Sequence, residues 1–259
     1  MVKYDIILKA IDNYLNKCHI TLKSIKEQIE GLIFEISETD EEYNILMEHI
    51  PRFYRDYYNA PIEHLFGYDV NGNIYTQDGD ETSVRFTEEQ DITMEDNYGL
   101  FLSMHNHPTD INFLSFSDIG LSSKDKYRTM YNVVVTKKGI AINKQDRNWN
   151  YNDESSLNKE SQRFNRCFNA NELFRESIKN DIFPNEINDI MENMDKKIKE
   201  TDNKSEQFQI RYDSLMQVED LVADYITQEP QDCADRLNQA YEQYDVPMEM
   251  NIIPIKRNQ

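Results

Sequence analysis

The chain has no apolar run approaching the roughly 18 residues that a membrane span requires, so a membrane partner is not expected. Residues 1–17, "MVKYDIILKAIDNYLNK", hold neither an uninterrupted apolar segment nor a small-residue cleavage site, which sets the expectation against a secretory leader. Cysteine is scarce: Cys18, Cys167 and Cys233 are far apart and odd in number, and none forms a CxxC pair. Free thiols in a reducing cytoplasm are therefore expected, rather than a disulfide framework or a zinc knuckle. Basic residues are few as well, 28 Lys and Arg against 48 Asp and Glu, for a net charge of −20. Such a surface repels phosphate backbones, and no cluster of Lys or Arg interleaved with aromatics offsets it, so nucleic acid is not an expected partner. A charge of this size is first of all a solubility feature. Internal repeats and low-complexity tracts are missing too.

The 259 residues that remain divide by pattern into three regions. Residues 1–57 read as helical: Ile25, Ile29, Leu32, Ile33 and Ile36 recur at helical spacing, and "SETDEEYNILMEHI" opens with capping residues. Residues 58–150 change period. "IEHLFGYDV" and "NIYTQ" flank the hairpin signal "NGN", while "SVRF", "YGLFLSMHNH", "YNVVVT" and "IAINK" are further strand candidates. A helix is expected from Ser115 to Lys126. Residues 151–259 return to helical spacing, with one stripe at Ile187, Ile190, Met191, Met194 and Ile198. A second stripe comprises Leu215, Val218, Leu221, Val222, Tyr225 and Ile226. Both read as core faces, with a groove for a partner as the alternative. "KKIKETDNKSEQ" reads as an inter-helix loop, and the chain from Gln231 as loosely structured until "MEMNIIPI", an edge-strand candidate.

Only five histidines are present, and two of them, His105 and His107, stand one residue apart in "SMHNHPTDINFLSFSD". In an extended segment alternate side chains share a face, so Leu100, Leu102 and Met104 point one way. Phe101, Ser103, His105 and His107 then point the other way, the imidazoles about 7 Å apart along the strand. Two imidazoles at a strand end can converge on one ion. Zinc favours such nitrogen ligands, and a catalytic zinc takes three protein ligands and keeps a position for water. Asp118 is the natural third ligand, three residues into a helix that Ser115 would cap. Each half has a plain structural reading, the first a polar strand end and the second an ordinary cap. The joint spacing His-x-His-x7-Ser-x2-Asp, however, arises by chance in fewer than roughly one chain in a thousand.

His105-Asn106-His107-Pro108 followed by Ser115 and Asp118 resembles the JAMM signature of JAB/MPN-type zinc metalloproteases. The "HNHP" form is similar to the prokaryotic and phage branches, RadC-like proteins included. The resemblance covers residues 58 to about 145. It implies an α/β fold of the MPN, or cytidine-deaminase-like, type: three layers around a mixed sheet, here with helical N- and C-terminal extensions. It implies zinc as cofactor, held by His105, His107 and Asp118, and hydrolysis of an amide bond. The implied substrate is a protein or peptide, with the tail of a ubiquitin-like modifier a frequent one. It further implies a glutamate general base upstream of the histidines. Glu63 in "APIEHLFGYDV" fits best, with Glu81 in reserve and Glu88 or Glu89 behind it. Ser115 would donate a hydrogen bond to the scissile carbonyl oxygen, a role to set beside simple capping. Ser117 is close by but breaks the Ser-x2-Asp spacing. His64 adjoins Glu63 yet points the other way, and reads as structural. Asp110 reads as a solvated loop acid, with support of a ligand as its alternative. Between His107 and Ser115 the chain is bulkier than the glycine-bearing loops of RadC-like relatives, and Ile111, Phe113 and Leu114 either pack under the sheet or form an apolar lip.

Two rival functions follow. One is a non-catalytic MPN-fold structural or phage-type assembly protein, because more than half of the chain lies outside the resemblance. The other is a RadC-like, DNA-associated protein, which the charge opposes.

Overall fold

The computed structural model describes residues 25–97, 99–109, 111–115, 118, 129–145 and 156–254, with side chains from 162 onward in the last segment. The expected helix from Ser115 to Lys126 lies outside the described residues, apart from Ser115 and Asp118, and so do Cys18, Asp110 and Ser117.

Six strands form one mixed sheet. They are β1 (His64–Asp69), β2 (Ile74–Asp78), β3 (Leu100–Asn106), β4 (Tyr131–Val135), β5 (Gly139–Gln145) and β6 (Met248–Pro254), in the order β2-β1-β3-β4-β5-β6. Only β3 and β4 run parallel. β3 and β4 are buried along their whole length and β5 nearly so, which is why they read as almost continuous apolar runs. The β1–β2 hairpin turns at Gly72, whose φ of +87° suits a residue without Cβ. As expected of "MEMNIIPI", β6 closes the far edge by pairing antiparallel with β5.

Both sheet faces are covered. On one side lie α1 (residues 25–36) and α2 (Asp40–Tyr57). Ile25, Ile29, Ile33, Leu46, Ile50 and Phe53 pack there with Leu102, Met104, Val133 and Ile142 of the strands. Thr39 caps α2 by accepting from the Glu42 backbone N–H at 3.2 Å. On the other side lie α4 (Ser156–Ile182), α6 (Lys204–Gln228) and α7 (Pro230–Gln243). Their Cys167, Phe174, Val222, Leu237 and Tyr241 meet Val134, Ala141, Met250 and Ile252. The result is an α/β molecule of three layers. α3 (Glu88–Asp96) follows the hairpin, and α5 (Pro184–Lys199) precedes α6. Cys167 and Cys233 are buried and in no disulfide. No described helix is long and apolar enough to cross a membrane.

Five expectations need correction. "SVRF" is not a strand. It leads into the capping box of α3, where the Thr87 hydroxyl accepts from the Gln90 N–H and the Gln90 side chain accepts from the Thr87 N–H. The chain after Gln231 is not loose. Pro230 starts α7, and Cys233, Ala234, Leu237, Ala240 and Tyr241 form its buried stripe. The loop in "KKIKETDNKSEQ" shrinks to residues 200–203, because Asn203 caps α6 through the Ser205 N–H. Leu100 does not share a face with Leu102 and Met104. A bulge opposite Tyr68/Asp69 reverses the alternation, so Leu100 packs with Tyr75 and Met94 while Phe101 joins Leu102. Finally, α5 buries no residue, so its stripe is not a plain core face, whereas the second stripe is core at Val218, Val222 and Ile226 as expected and departs from it at Leu215, which is exposed.

Candidate metal centre

The site lies where β3 ends beside the start of β1. β3 holds His105 in the sheet, and the His107 N–H extends the parallel ladder by donating to the Val135 carbonyl at 3.1 Å. Leu65 pairs with His105 across the antiparallel β1–β3 ladder, so Glu63, two residues earlier, falls on the same face as both histidines. Glu63 is itself tied into the sheet, its N–H donating to Asp80 O and its carbonyl accepting from Gly79 N–H.

Three potential ligand atoms converge. His105 Nε2 and His107 Nε2 are 3.1 Å apart, and Asp118 Oδ2 lies 3.4 Å from the first and 3.9 Å from the second. A tetrahedral zinc with bonds of about 2.0–2.1 Å spaces its ligand atoms by roughly 3.3 Å. The residues present fit such an ion, and among the described residues this is the one group of three or more His, Cys, Asp or Glu side chains so arranged.

The surroundings set the state of each potential ligand. His107 Nδ1 faces the Ile111 carbonyl at 3.1 Å, where it can only donate, and this leaves Nε2 with its lone pair. Burial, then the neighbouring His105, pushes the His107 pKa down to about 4, so the imidazole is neutral. At His105 burial disfavours the imidazolium, but the carboxylates of Asp118 and Glu63 outweigh it and raise the pKa. Asp118 is also mostly buried, yet His105, Ser115 and His107 hold it ionised, well below the usual carboxylate range. Glu63 goes the other way. Desolvation raises its pKa, the nearby negative charges of Asp118 and Asp80 add to this, and His105 opposes them.

Ser115 and Asp118 make a reciprocal capping pair: Ser115 N–H donates to Asp118 Oδ2 at 2.9 Å, and Asp118 N–H donates to Ser115 Oγ at 3.2 Å. Capping uses a lone pair of the hydroxyl, while its O–H is a donor within reach of the Asp118 carboxylate, so a substrate oxygen would share that donor with Asp118. Of the other acids, Glu81, Glu88 and Glu89 are exposed, whereas Glu63 is buried. His64 points away, stacked on Tyr57 and bonded to Asp78. Phe113 and Leu114 pack under the sheet, Phe113 stacking on Phe174 at 5.6 Å between centroids.

Two residues of the site escaped the sequence reading. Asn106, fully buried between the histidines, accepts from His64 N–H at 2.7 Å and donates to Ile62 O at 2.9 Å. It thereby clamps the backbone on both sides of Glu63. Asn132 on β4 donates to the Asp118 carbonyl at 3.3 Å. Neither bond has a local signal, since the Asn106 partners lie 42 and 44 residues away.

Comparisons of the chain with protein-family models, with curated proteins and with solved structures found no match.

Proposed function

We propose that this chain is a metal-dependent hydrolase and, more particularly, a cytoplasmic JAMM-type zinc metallopeptidase or isopeptidase on an MPN-like fold. The observation that carries the reading is the spacing of 3.1, 3.4 and 3.9 Å among His105 Nε2, His107 Nε2 and Asp118 Oδ2. These three side chains would hold the ion. When bound, zinc supplies Lewis acidity, which lowers the pKa of water and polarises a carbonyl oxygen.

The rest of the chemistry belongs to the chain. Glu63, kept basic by desolvation, accepts a proton from the attacking water and delivers it to the leaving amine nitrogen. Ser115 donates its O–H to the carbonyl oxygen as charge develops there. Asn106 holds Glu63 in register with the histidines. The substrate class is a protein or peptide amide, an isopeptide at the tail of a ubiquitin-like modifier included.

Elemental analysis of the purified protein tests the reading. About one zinc per chain is expected in the wild type, with loss of the ion in His107→Ala and Asp118→Ala. A wild-type protein that retains no metal after reconstitution, or that holds iron in its place, overturns it.

A further inference from the structure

Helices α5 and α6 form an antiparallel arm with little core of its own. α5 buries nothing, and α6 buries nothing before Ser214, its other buried side chains, Val218, Val222 and Ile226, lying in its second half. Meanwhile Phe208, Tyr212, Leu215 and Met216 stand 66%, 52%, 56% and 42% exposed on α6. Four neighbouring apolar side chains on one helix face form a patch, not scattered exceptions.

The patch belongs to a longer stripe. Lys204, Phe208, Tyr212, Leu215 and Glu219 are spaced four, four, three and four residues apart and so line one side of α6. Turned end for end about a point between Arg211 and Tyr212, the outer four residues of this stripe exchange places, and Tyr212 exchanges with Arg211 beside it. Lys204 then faces Glu219, Phe208 faces Leu215, and Arg211 faces the ring of Tyr212, a favourable cation–π pairing. Charge along the whole arm follows the same axis. Lys196, Lys197, Lys199, Lys204 and Arg211 all lie in the tip, residues 195–211, which holds four acids. The base, residues 184–194 and 212–228, has seven acids and no cation. Glu219 is already paired with Arg175 and Lys179. Glu172 and Glu176 share those two cations, so the cluster keeps an excess of negative charge beside Asp220.

We propose that the arm docks on a second copy of this chain, α6 against α6 in antiparallel register, to give a two-fold symmetric four-helix contact. The alternatives meet a repulsion. A parallel copy sets tip on tip and base on base, a polyanion meets the acidic base, and a basic partner meets the tip. A contact along α6 over the ~24 Å of the arm where α5 flanks it, two helices wide, covers on the order of 500 Å² per copy. Both copies together bury about 1,000 Å², the lower limit for a specific interface, so a reversible dimer with a micromolar Kd is expected.

Sedimentation velocity of the full chain from about 1 to about 200 µM, at ~50 mM and ~500 mM salt, tests this. The wild type is expected to pass from monomer to dimer with concentration, with a Kd roughly tenfold weaker at high salt. A tip variant (K196E, K199E, K204E) and a base variant (E192K, D220K, D224K) are each expected to stay monomeric, with unchanged circular dichroism. Mixed together they are expected to form a heterodimer, because each then presents what the other lacks. A wild type that remains monomeric throughout overturns the proposal. A wild-type dimer alongside variants that do not pair when mixed overturns the antiparallel register.

Discussion

The two ends of β1 carry buried carboxylates with opposite fates. Asp69, fully buried beside the hairpin turn, accepts five hydrogen bonds: from Asn71 N–H, Asn73 N–H, Asn73 Nδ2, Tyr75 OH and Asn97 Nδ2, all between 2.8 and 2.9 Å. Burial alone raises its pKa, and the bonds from Asn73, Tyr75 and Asn71 reverse this and lower it. Glu63, at the other end, has no hydrogen bond to its carboxylate among the described residues, and desolvation raises its pKa. One acid is saturated with donors and staples a turn. The other is desolvated without such donors. On the proposed reading, the same fold makes a structural carboxylate and a reactive one by the number of N–H and O–H groups aimed at each.

The largest effect that sharpens this contrast is on turnover. Glu63→Gln is expected to keep the metal while lowering hydrolysis of an isopeptide-linked conjugate by about 10²–10⁴-fold, as loss of a general base does. Activity within a few-fold of wild type breaks the contrast. Next comes Asp69→Ala, which strands buried donors and is expected to cost about 3 kcal/mol in urea denaturation, with metal content unchanged. Asn106→Ala removes the clamp on the Glu63 backbone. It is expected to cost about 1–2 kcal/mol and to reduce turnover with zinc still bound. The smallest effect is in the pH dependence of the metal-free protein. A lowered pKa at Asp69 contributes stability above its ordinary value of 3.8 and loses it as pH falls. A raised pKa at Glu63 contributes below its ordinary value of 4.5 and is lost as pH rises, so the ionised carboxylate is a liability at neutral pH. In chelator, Asp69→Asn should therefore be less stable than wild type at pH 7 and converge with it in acid. Glu63→Gln should be the more stable at pH 7 and converge below pH 4.5. Parallel stability curves for wild type and variants would show the two carboxylates to be equivalent.

The candidate metal site was legible because its residues are local. His105 and His107 obey strand alternation, Ser115 and Asp118 obey capping, and all four lie within fourteen residues. The central strands were legible from their apolar runs. What escaped depends on distant partners or on weak apolar pattern. α3 buries one side chain, Met94, and its charged sequence hides a Thr87–Gln90 capping box. α7 buries small residues, Cys233, Ala234 and Ala240, that do not stand out as a stripe. The exposed half of α6 shows the converse, because apolar spacing alone does not say what, if anything, covers a face. The bulge at Tyr68/Asp69 and the Asn106 clamp exist only once β1 and β3 have paired.

The one parallel strand pair bears on how the centre assembles. The chain that leaves β3 and returns as β4 carries Ser115 and Asp118, so before β4 docks only the two imidazoles are in place. On the proposed reading, high-affinity capture of the ion waits for this long-range pairing, and the rate of metal uptake by refolding chains becomes a clock for closure of the sheet.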